Sequence, residues 1–273
     1  MRKKSAIVWK NLLMLIILAV VIFPFFWLFV SSLKFEKDII NYPPQIFAPQ
    51  YTFSQYAKVF DTIPILQYVK NTIVFAGTVA LCSIFLDAAA GYAFARMQFK
   101  GRNILFSIVL VTMMIPFQVL MIPIFMEIHL FGLLDTYMGL ILPRLASAYG
   151  IYMMRSFFVS LPRDLEEAAR IDGLNEFGIF SRIMLPLCKP ALITLFMFNL
   201  MANWNDLLYP LMLTSSSEMR TLPAGLAMFV GERVIQYGPT IAATLLSMLP
   251  LLFLYVLFQK HFVEGIAMSG MKY

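Results

Sequence analysis

The segment that decides the fold spans residues 161–190 and reads LPRDLEEAARIDGLNEFGIFSRIMLPLCKP. Asp164 suits a helix N-cap, and Glu167 stands three positions later, which is the spacing of a capping box. Gly173 follows the last residue of this helical period and suits a helix C-cap. The pattern therefore predicts a short amphipathic helix that ends in a glycine turn.

The second half of the same segment predicts another helix, over Glu176–Met184, that ends before Leu185-Pro186. Glu166 adds a carboxylate to the start of the first helix, where we expect it to favour the helix N-terminus electrostatically. From the residues alone, two interpretations stay open. The segment is either a helical hairpin that only joins two membrane spans, or a small knob that seats in a groove on a partner protein.

The composition around this segment is that of a membrane protein. Of the 273 residues, 60% are hydrophobic and 13% are charged, whereas a soluble domain has roughly 45–50% apolar and about 25% charged residues. About 20 apolar residues are needed to cross a bilayer as a helix. Six segments meet this length, and we predict them as membrane spans: Leu12–Val30, Asn71–Ala95, Ile104–Met126, Tyr137–Phe158, Pro190–Leu213 and Thr240–Phe258.

The distribution of Lys and Arg predicts the orientation. With the N-terminus inside the cell, fourteen of the 21 basic residues fall in cytoplasmic segments and six in extracytoplasmic ones, while Arg144 lies within a span. The positive-inside rule therefore places both termini in the cytoplasm. The predicted segments are a cytoplasmic N-terminus (1–10), a first anchor helix (11–33), an extracytoplasmic loop (34–70), a membrane core (71–262) with a cytoplasmic loop (160–189), and a cytoplasmic tail (263–273).

The pattern of residues 167–190 resembles the EAA loop of the permease subunits of ABC importers. In that family this loop is a coupling helix that docks into a cleft of the cytoplasmic ATPase. The resemblance assigns ATPase coupling to the matching positions, which are Leu165, Glu167, Ala168, Ala169, Asp172, Gly173, Leu185 and Pro186.

Further motifs are similar to the carbohydrate-uptake group of this family, among them Gly91–Arg96 and the Asn203-Trp204-Asn205-Asp206 stretch. The chain most resembles the smaller, six-helix permease of maltose-type systems, with a type I importer fold. The resemblance implies a second homologous permease subunit, an ATPase dimer that uses ATP and Mg²⁺, an extracytoplasmic solute-binding protein and a sugar substrate. It also implies the plasma membrane of a bacterium or archaeon as the location.

Polar residues inside the predicted spans are candidates for the substrate path. Asn199, Asn203 and Asp206 stand at i, i+4 and i+7 and share one helix face. They either hydrogen-bond to neighbouring helices or line a path for sugar hydroxyls. Trp204 either stacks on a sugar or anchors the helix at the membrane interface. We further considered an ion pair between Asp87 and Arg144.

Other function classes are disfavoured by what the sequence does not contain. There is no phosphate-binding GxxxxGK[ST] motif and no cluster of metal ligands, so we expect no catalytic residue, metal or cofactor in this chain and no nucleic-acid partner. The alternative functions are an ion-coupled secondary transporter, which would favour an inverted repeat, or a permease of the same type that carries a glycerol phosphate ester.

Overall fold

The computed structural model describes residues 2–231 and 236–270, and every regular element in these two ranges is helical. Arg233 and Lys272, which contribute to the orientation argument, lie outside the described residues. A 3₁₀ turn (Leu142–Arg144) precedes α8, and a π turn (Phe180–Met184) joins α10 to α11. The α-helices in chain order are α1 (Arg2–Ser32), α2 (Glu36–Ile39), α3 (Ser54–Thr62), α4 (Ile65–Arg96), α5 (Arg102–Thr112), α6 (Phe117–Leu130), α7 (Tyr137–Ile141), α8 (Ala148–Ser160), α9 (Asp164–Ile171), α10 (Glu176–Ile179), α11 (Leu185–Leu187), α12 (Lys189–Trp204), α13 (Leu208–Leu213), α14 (Leu222–Gly231) and α15 (Tyr237–Gly270).

Three of the described helices contain straight segments long and apolar enough to cross a membrane. These segments are Trp9–Ser32 in α1, the whole of α4, and Tyr237–Leu257 in α15. The helices α1, α4 and α15 contain the predicted first, second and sixth spans. The most apolar windows of α1 and α15 are only 6% and 11% buried, so their side chains are available to lipid or to another protein.

The predicted third span consists of two helices. Within Ile104–Met126, α5 and α6 meet at a bend of 101°. Pro116 precedes α6 with an extended backbone (ψ 135°), because its ring and missing N–H do not allow the preceding helix to continue. Pro123, in contrast, lies inside α6 without ending it.

The predicted fourth and fifth spans are also interrupted. The 3₁₀ turn and residues 145–147 divide Tyr137–Phe158, and residues 205–207 divide Pro190–Leu213. The helix predicted to end before Leu185-Pro186 in fact continues to Leu187, and a bend of 79° separates it from α12. Pro186 lies just after the π turn Phe180–Met184, and its missing N–H does not end the helix there.

The chain forms two compact units. The first holds residues 1–65 and 225–250 and the second holds 66–224 and 251–273. In the first unit, the Glu36 carboxylate accepts hydrogen bonds from the backbone N–H groups of Tyr237 (2.7 Å) and Gly238 (2.9 Å) at the start of α15. A carboxylate is favourable there because the first N–H groups of a helix lack partners. The segment after α1 is therefore fixed to the start of α15.

Two apolar clusters form the core of the second unit. One surrounds Phe158 and includes Met184, Leu195 and Cys188, all fully buried. The other surrounds Tyr209 and Phe75, whose rings stack with centroids 6.1 Å apart. Cys188 packs as a small apolar side chain, and both it and Cys82 are free thiols.

Candidate functional site

The 161–190 segment forms a helix, a glycine turn and a second helix in the predicted order. The turn after α9 is a Schellman motif, in which Gly173 N–H donates to Arg170 O and Leu174 N–H donates to Ala169 O, both at 3.0 Å. Gly173 has φ = 84°, a conformation that L side chains rarely adopt. The predicted glycine cap is therefore confirmed.

The predicted capping box is wrong. Arg163, the residue before α9, has helical backbone angles, and no side chain accepts a hydrogen bond at this helix start. Asp164 is consequently the first helical residue rather than the N-cap. The second helix does have a side-chain cap, because Asn175 Oδ1 accepts the Gly178 N–H at 2.8 Å.

Residues 164–187, which we call the coupling segment after their predicted role, have a buried face and an exposed face. Glu166 and Ala169 are 4% exposed and turn toward the apolar cluster around Phe158. Ile171 and Phe177 are 86% and 75% exposed. The exposed face also carries predicted coupling residues, namely Leu165, Glu167, Ala168, Asp172, Gly173 and Pro186.

Glu166 forms a buried ion pair with Arg96, the last residue of α4. Arg96 Nε lies 3.0 Å from Glu166 Oε1, with side chains 4% and 5% exposed, although the direction of the N–H does not make this contact a well-formed hydrogen bond. Burial raises the pKa of Glu166 above its ordinary value, and the charges of Arg96 and Arg170 oppose that rise. Glu166 therefore acts through a specific partner, beyond the general effect predicted for a carboxylate at a helix start.

A second polar connection joins α4 to the coupling segment. The Tyr92 hydroxyl donates to Glu176 Oε2 at 3.1 Å, and Arg170 Nη2 lies 2.8 Å from Glu176 Oε1. Arg170 also lies 3.9 Å from Glu166. A polar cavity of about 400 Å³ opens beside these groups, and its lining consists of Arg96, Met97, Gln98, Arg163, Glu166, Glu167, Arg170 and Glu176.

The polar stripe predicted in the fifth span makes contacts within the protein. Asn199 Nδ2 donates to Ser83 Oγ at 2.7 Å, and Asn203 Oδ1 accepts from Arg144 Nη1 at 2.8 Å. Asp206, between α12 and α13, accepts the Tyr209 N–H at 3.2 Å. Trp204 is 3% exposed. The side chains thus bridge helices in this conformation, while their assignment to a substrate path stays a prediction.

The considered ion pair between Asp87 and Arg144 is absent. Arg144 instead pairs with Asp206, with 2.6 Å between Nη2 and Oδ2, and its guanidinium lies 4.0 Å from the centre of the Tyr209 ring. Asp87 accepts hydrogen bonds from the backbone N–H and the hydroxyl of Ser147, both at 2.8 Å. Ser147 in turn caps the start of α8, so Asp87 stabilises that helix start.

Arg96 is the residue of this region that the sequence prediction missed. The sequence counted Arg96 among the basic residues of the cytoplasmic segments and within the Gly91–Arg96 motif, but gave it no contact with the 161–190 segment. Glu166 and Ala169 stand at i and i+3 and share one helix face, but this spacing does not identify a partner on another helix. In the described parts of the chain, no group of three or more His, Cys, Asp or Glu side chains is placed to hold a metal ion.

Comparison with known proteins identifies relatives over nearly the whole chain. Residues 87–267 match the family model described as binding-protein-dependent transport system inner membrane component. The chain is 34% identical to the arabinooligosaccharides transport system permease protein AraQ of Bacillus subtilis, over 92% of this chain and 90% of that protein. It is 32% identical to the trehalose/maltose transport system permease protein MalG of Thermococcus litoralis, over 94% of each. These relatives are transport subunits rather than enzymes.

The fold is similar to that of a solved transporter. A chain of a bacterial ABC transporter involved in the import of the acidic polysaccharide alginate superposes with a TM-score of 0.81 at 24% identity, covering 95% of this chain and 97% of that one. A second alginate transporter structure, in complex with an alginate-bound periplasmic protein, gives a TM-score of 0.64 at 16% identity. The all-helical architecture is therefore that of type I importer permeases.

Proposed function

Because the chain belongs to the family of binding-protein-dependent transport system inner membrane components, we propose that it is one permease subunit of an ATP-driven importer of oligosaccharides or related glycosides. It forms half of the translocation path, together with a second homologous permease subunit. Two cytoplasmic ATPase subunits use ATP and Mg²⁺, and an extracytoplasmic binding protein delivers the sugar. The complex lies in the plasma membrane of a bacterium or archaeon.

The observation that carries this proposal is the exposed face of the coupling segment. Ile171 and Phe177 present large apolar side chains on either side of the Gly173 turn, and Ala168 adds little bulk between them. Such a surface fits a groove on a partner, as helix-in-groove recognition requires. We assign this partner as the ATPase, since the chain itself has no phosphate-binding motif with which to use ATP.

The sugar class is inferred from several relatives. The permeases at 34% and 32% identity are named for arabinooligosaccharides and for trehalose and maltose, and another relative at 30% identity is named for sulfoquinovosyl glycerol. The shared chemistry is a glycoside with several hydroxyl groups. A glycerol phosphate ester lacks comparable support among these names.

We further propose six membrane crossings with both termini in the cytoplasm. Three crossings are the straight segments of α1, α4 and α15. The other three are the bent pair of α5 and α6, the interrupted segment formed by α7 and α8, and the interrupted segment formed by α12 and α13. The excess of Lys and Arg on the predicted inner side supports this orientation, and it places the coupling segment at the cytoplasmic face, where an ATPase can reach it.

The decisive experiment is reconstitution of the chain with its companion permease, its ATPase and its binding protein in proteoliposomes. Uptake of labelled arabinotriose and maltotriose is measured with ATP on the ATPase side and, separately, with a proton or sodium gradient and no ATP. The proposal predicts uptake with ATP alone, accompanied by stimulated ATP hydrolysis. Uptake that follows the ion gradient and ignores ATP would instead establish a secondary transporter.

A further inference from the structure

We propose that Arg96 is a positioning residue that makes α9 move as one body with α4, so that a displacement of the coupling segment by the ATPase reaches the membrane-spanning helix. This inference rests on the proposed function. Its structural basis is that one buried guanidinium joins the ends of three helices.

The first of these connections ties α4 to the end of α8. Arg96 Nη2 donates to the carbonyl oxygens of Phe158 (2.6 Å) and Leu161 (2.5 Å). The last carbonyl groups of a helix have no partners within that helix, and a cation there is favourable. Because Arg96 is the last residue of the uninterrupted helix α4, whatever holds its guanidinium also holds the end of that span.

The second connection ties the same guanidinium to the start of α9. Arg96 Nε lies 3.0 Å from Glu166 Oε1, in the first turn of α9, and both side chains are almost completely buried. A guanidinium can contact a carboxylate and two carbonyl groups at once because its five N–H donors are arranged in a rigid plane. A lysine ammonium lacks this planar set of donors and would not contact all three acceptors in the same geometry.

A more exposed connection runs in parallel. Tyr92, one turn earlier on α4, donates to Glu176, and Glu176 pairs with Arg170 of α9. Arg170 and Glu176 are 44% and 45% exposed, so water and salt weaken their attraction. The buried pair of Arg96 and Glu166 is therefore the stiffer of the two connections.

The orientation of α9 makes this pair a coupling element. The exposed face of α9 is the one offered to the ATPase, and its opposite face carries Glu166. A push on the exposed face that separates Glu166 from Arg96 breaks a buried contact between opposite charges and leaves Glu166 with the more distant Arg170, 3.9 Å away, which is unfavourable. The apolar contacts of Ala169 and Ile179 hold the segment in place, but apolar contacts are non-directional and permit sliding.

The test measures whether α9 and α4 keep a fixed separation in the complete importer. Spin labels are attached at Asp164→Cys, on the exposed start of α9, and at Leu81→Cys, which is 54% exposed on α4. The background carries Cys82→Ala, and Cys188 is fully buried and shielded from the label. Distances are measured before and after trapping with ADP and vanadate, and trapped nucleotide is counted for each complex.

The inference predicts that the distance between the two labels is the same before and after trapping in the wild type. In Arg96→Gln, this distance should change on trapping. Arg96→Lys keeps the charge without the planar donors and should fall between them. The matched control is Arg102→Gln, since Arg102 is a half-buried arginine of the neighbouring connection whose guanidinium donates to Met97 O within its own connection. In uptake assays with labelled arabinotriose or maltotriose, Arg96→Gln should hydrolyse about tenfold more ATP per sugar carried.

An Arg96→Gln complex that keeps the wild-type separation in both states would overturn the inference. If that variant does not assemble, Glu166→Gln takes its place, because it leaves both carbonyl contacts of Arg96 intact, and an unchanged separation there has the same consequence. Failure of the proposed function is distinguishable, since the wild-type complex would then trap no nucleotide at all.

Discussion

Arg144 and Asp206 form an ion pair with 2.6 Å between Nη2 and Oδ2, and each lies where a helix is interrupted. Arg144 ends the 3₁₀ turn before α8, and Asp206 lies between α12 and α13. The pair therefore fastens two breaks in the second unit to one another. Interrupted helices expose backbone groups that need partners inside a membrane, and a charged pair at the breaks fixes their relative position.

Neutralising one member of this pair should destabilise the protein more than neutralising both. Arg144→Gln or Asp206→Asn leaves one charge without its partner, at a cost of about 1–3 kcal/mol for a half-buried pair. The double variant removes both charges and should recover part of that loss. Thermal unfolding of the purified complex measures the stability of the two single variants and the double variant. Single variants as stable as the wild type would show that the ion pair does not stabilise the two breaks.

The contact between α4 and α8 should depend on Gly91. A Cβ atom at this position would lie 2.8 Å from Arg155 N and from Met154 Cβ, so Gly91→Ala forces the two helices apart and should cost about 1–3 kcal/mol. Gly77→Ala is the matched control on the same helix, since a Cβ there meets nothing within 4 Å. It should be neutral or stabilise α4 by about 1 kcal/mol.

Thermal stability in detergent distinguishes the two glycines. A loss for Gly91→Ala together with no loss for Gly77→Ala supports the close approach of α4 and α8. Equal effects of the two substitutions would show that the glycines matter only through helix propensity.

Asp135 should give the loop after α13 a dependence on acid pH. Burial alone would raise its pKa, but the hydrogen bonds from Ser216 and Ser215 and the charge of Arg220 hold the pKa below the ordinary value. The backbone N–H donors lie 3.0 and 3.1 Å from Oδ1. A lowered pKa means that the ionised form stabilises the native state, so this contribution is complete above the unfolded-state pKa of about 3.9 and disappears as the pH falls through the native pKa.

The difference in melting temperature between the wild type and Asp135→Asn measures this contribution. The wild type should be the more stable above about pH 5, and the difference should shrink toward zero in strong acid. A difference that stays constant with pH would mean that the carboxylate charge plays no part.

The sequence predicted the structure best where a residue type favours one backbone conformation, or where a long apolar run favours a lipid environment. The glycine at position 173 predicted a helix C-cap, which has the expected positive φ. The long apolar runs predicted α1, α4 and α15. The length of the apolar runs did not predict where the membrane helices are interrupted. Ile104–Met126 satisfies the length of a span, yet Pro116 divides it, whereas Pro24 and Pro250 lie within intact helices.

Partners between distant segments were not predictable from the sequence. Asp87 and Arg144 have opposite charges at membrane depth, and their pairing was a reasonable hypothesis. In the structure Asp87 accepts from Ser147 and Arg144 turns to Asp206, because the breaks beside Ser147 and Asp206 bring new donors and acceptors into reach. The same limit applies to Glu166, whose partner Arg96 lies on another helix far away in the chain.

The central claim is that the coupling segment transmits the action of an ATPase, and a pair of matched glycine substitutions tests it most directly. Gly173 (φ 84°) and Gly101 (φ 81°) both have positive φ, and a Cβ at either meets nothing within 4 Å. Aspartate at either position therefore carries a similar backbone strain of about 1 kcal/mol. Only Gly173 lies on the surface proposed to enter the ATPase.

The measurement is substrate-stimulated ATP hydrolysis and ATP-driven uptake in proteoliposomes that hold the complete importer. The account predicts that Gly173→Asp abolishes both while the subunit still inserts into the membrane, and that Gly101→Asp retains most of both. If Gly173→Asp transports as well as Gly101→Asp, the coupling segment is not where the ATPase acts.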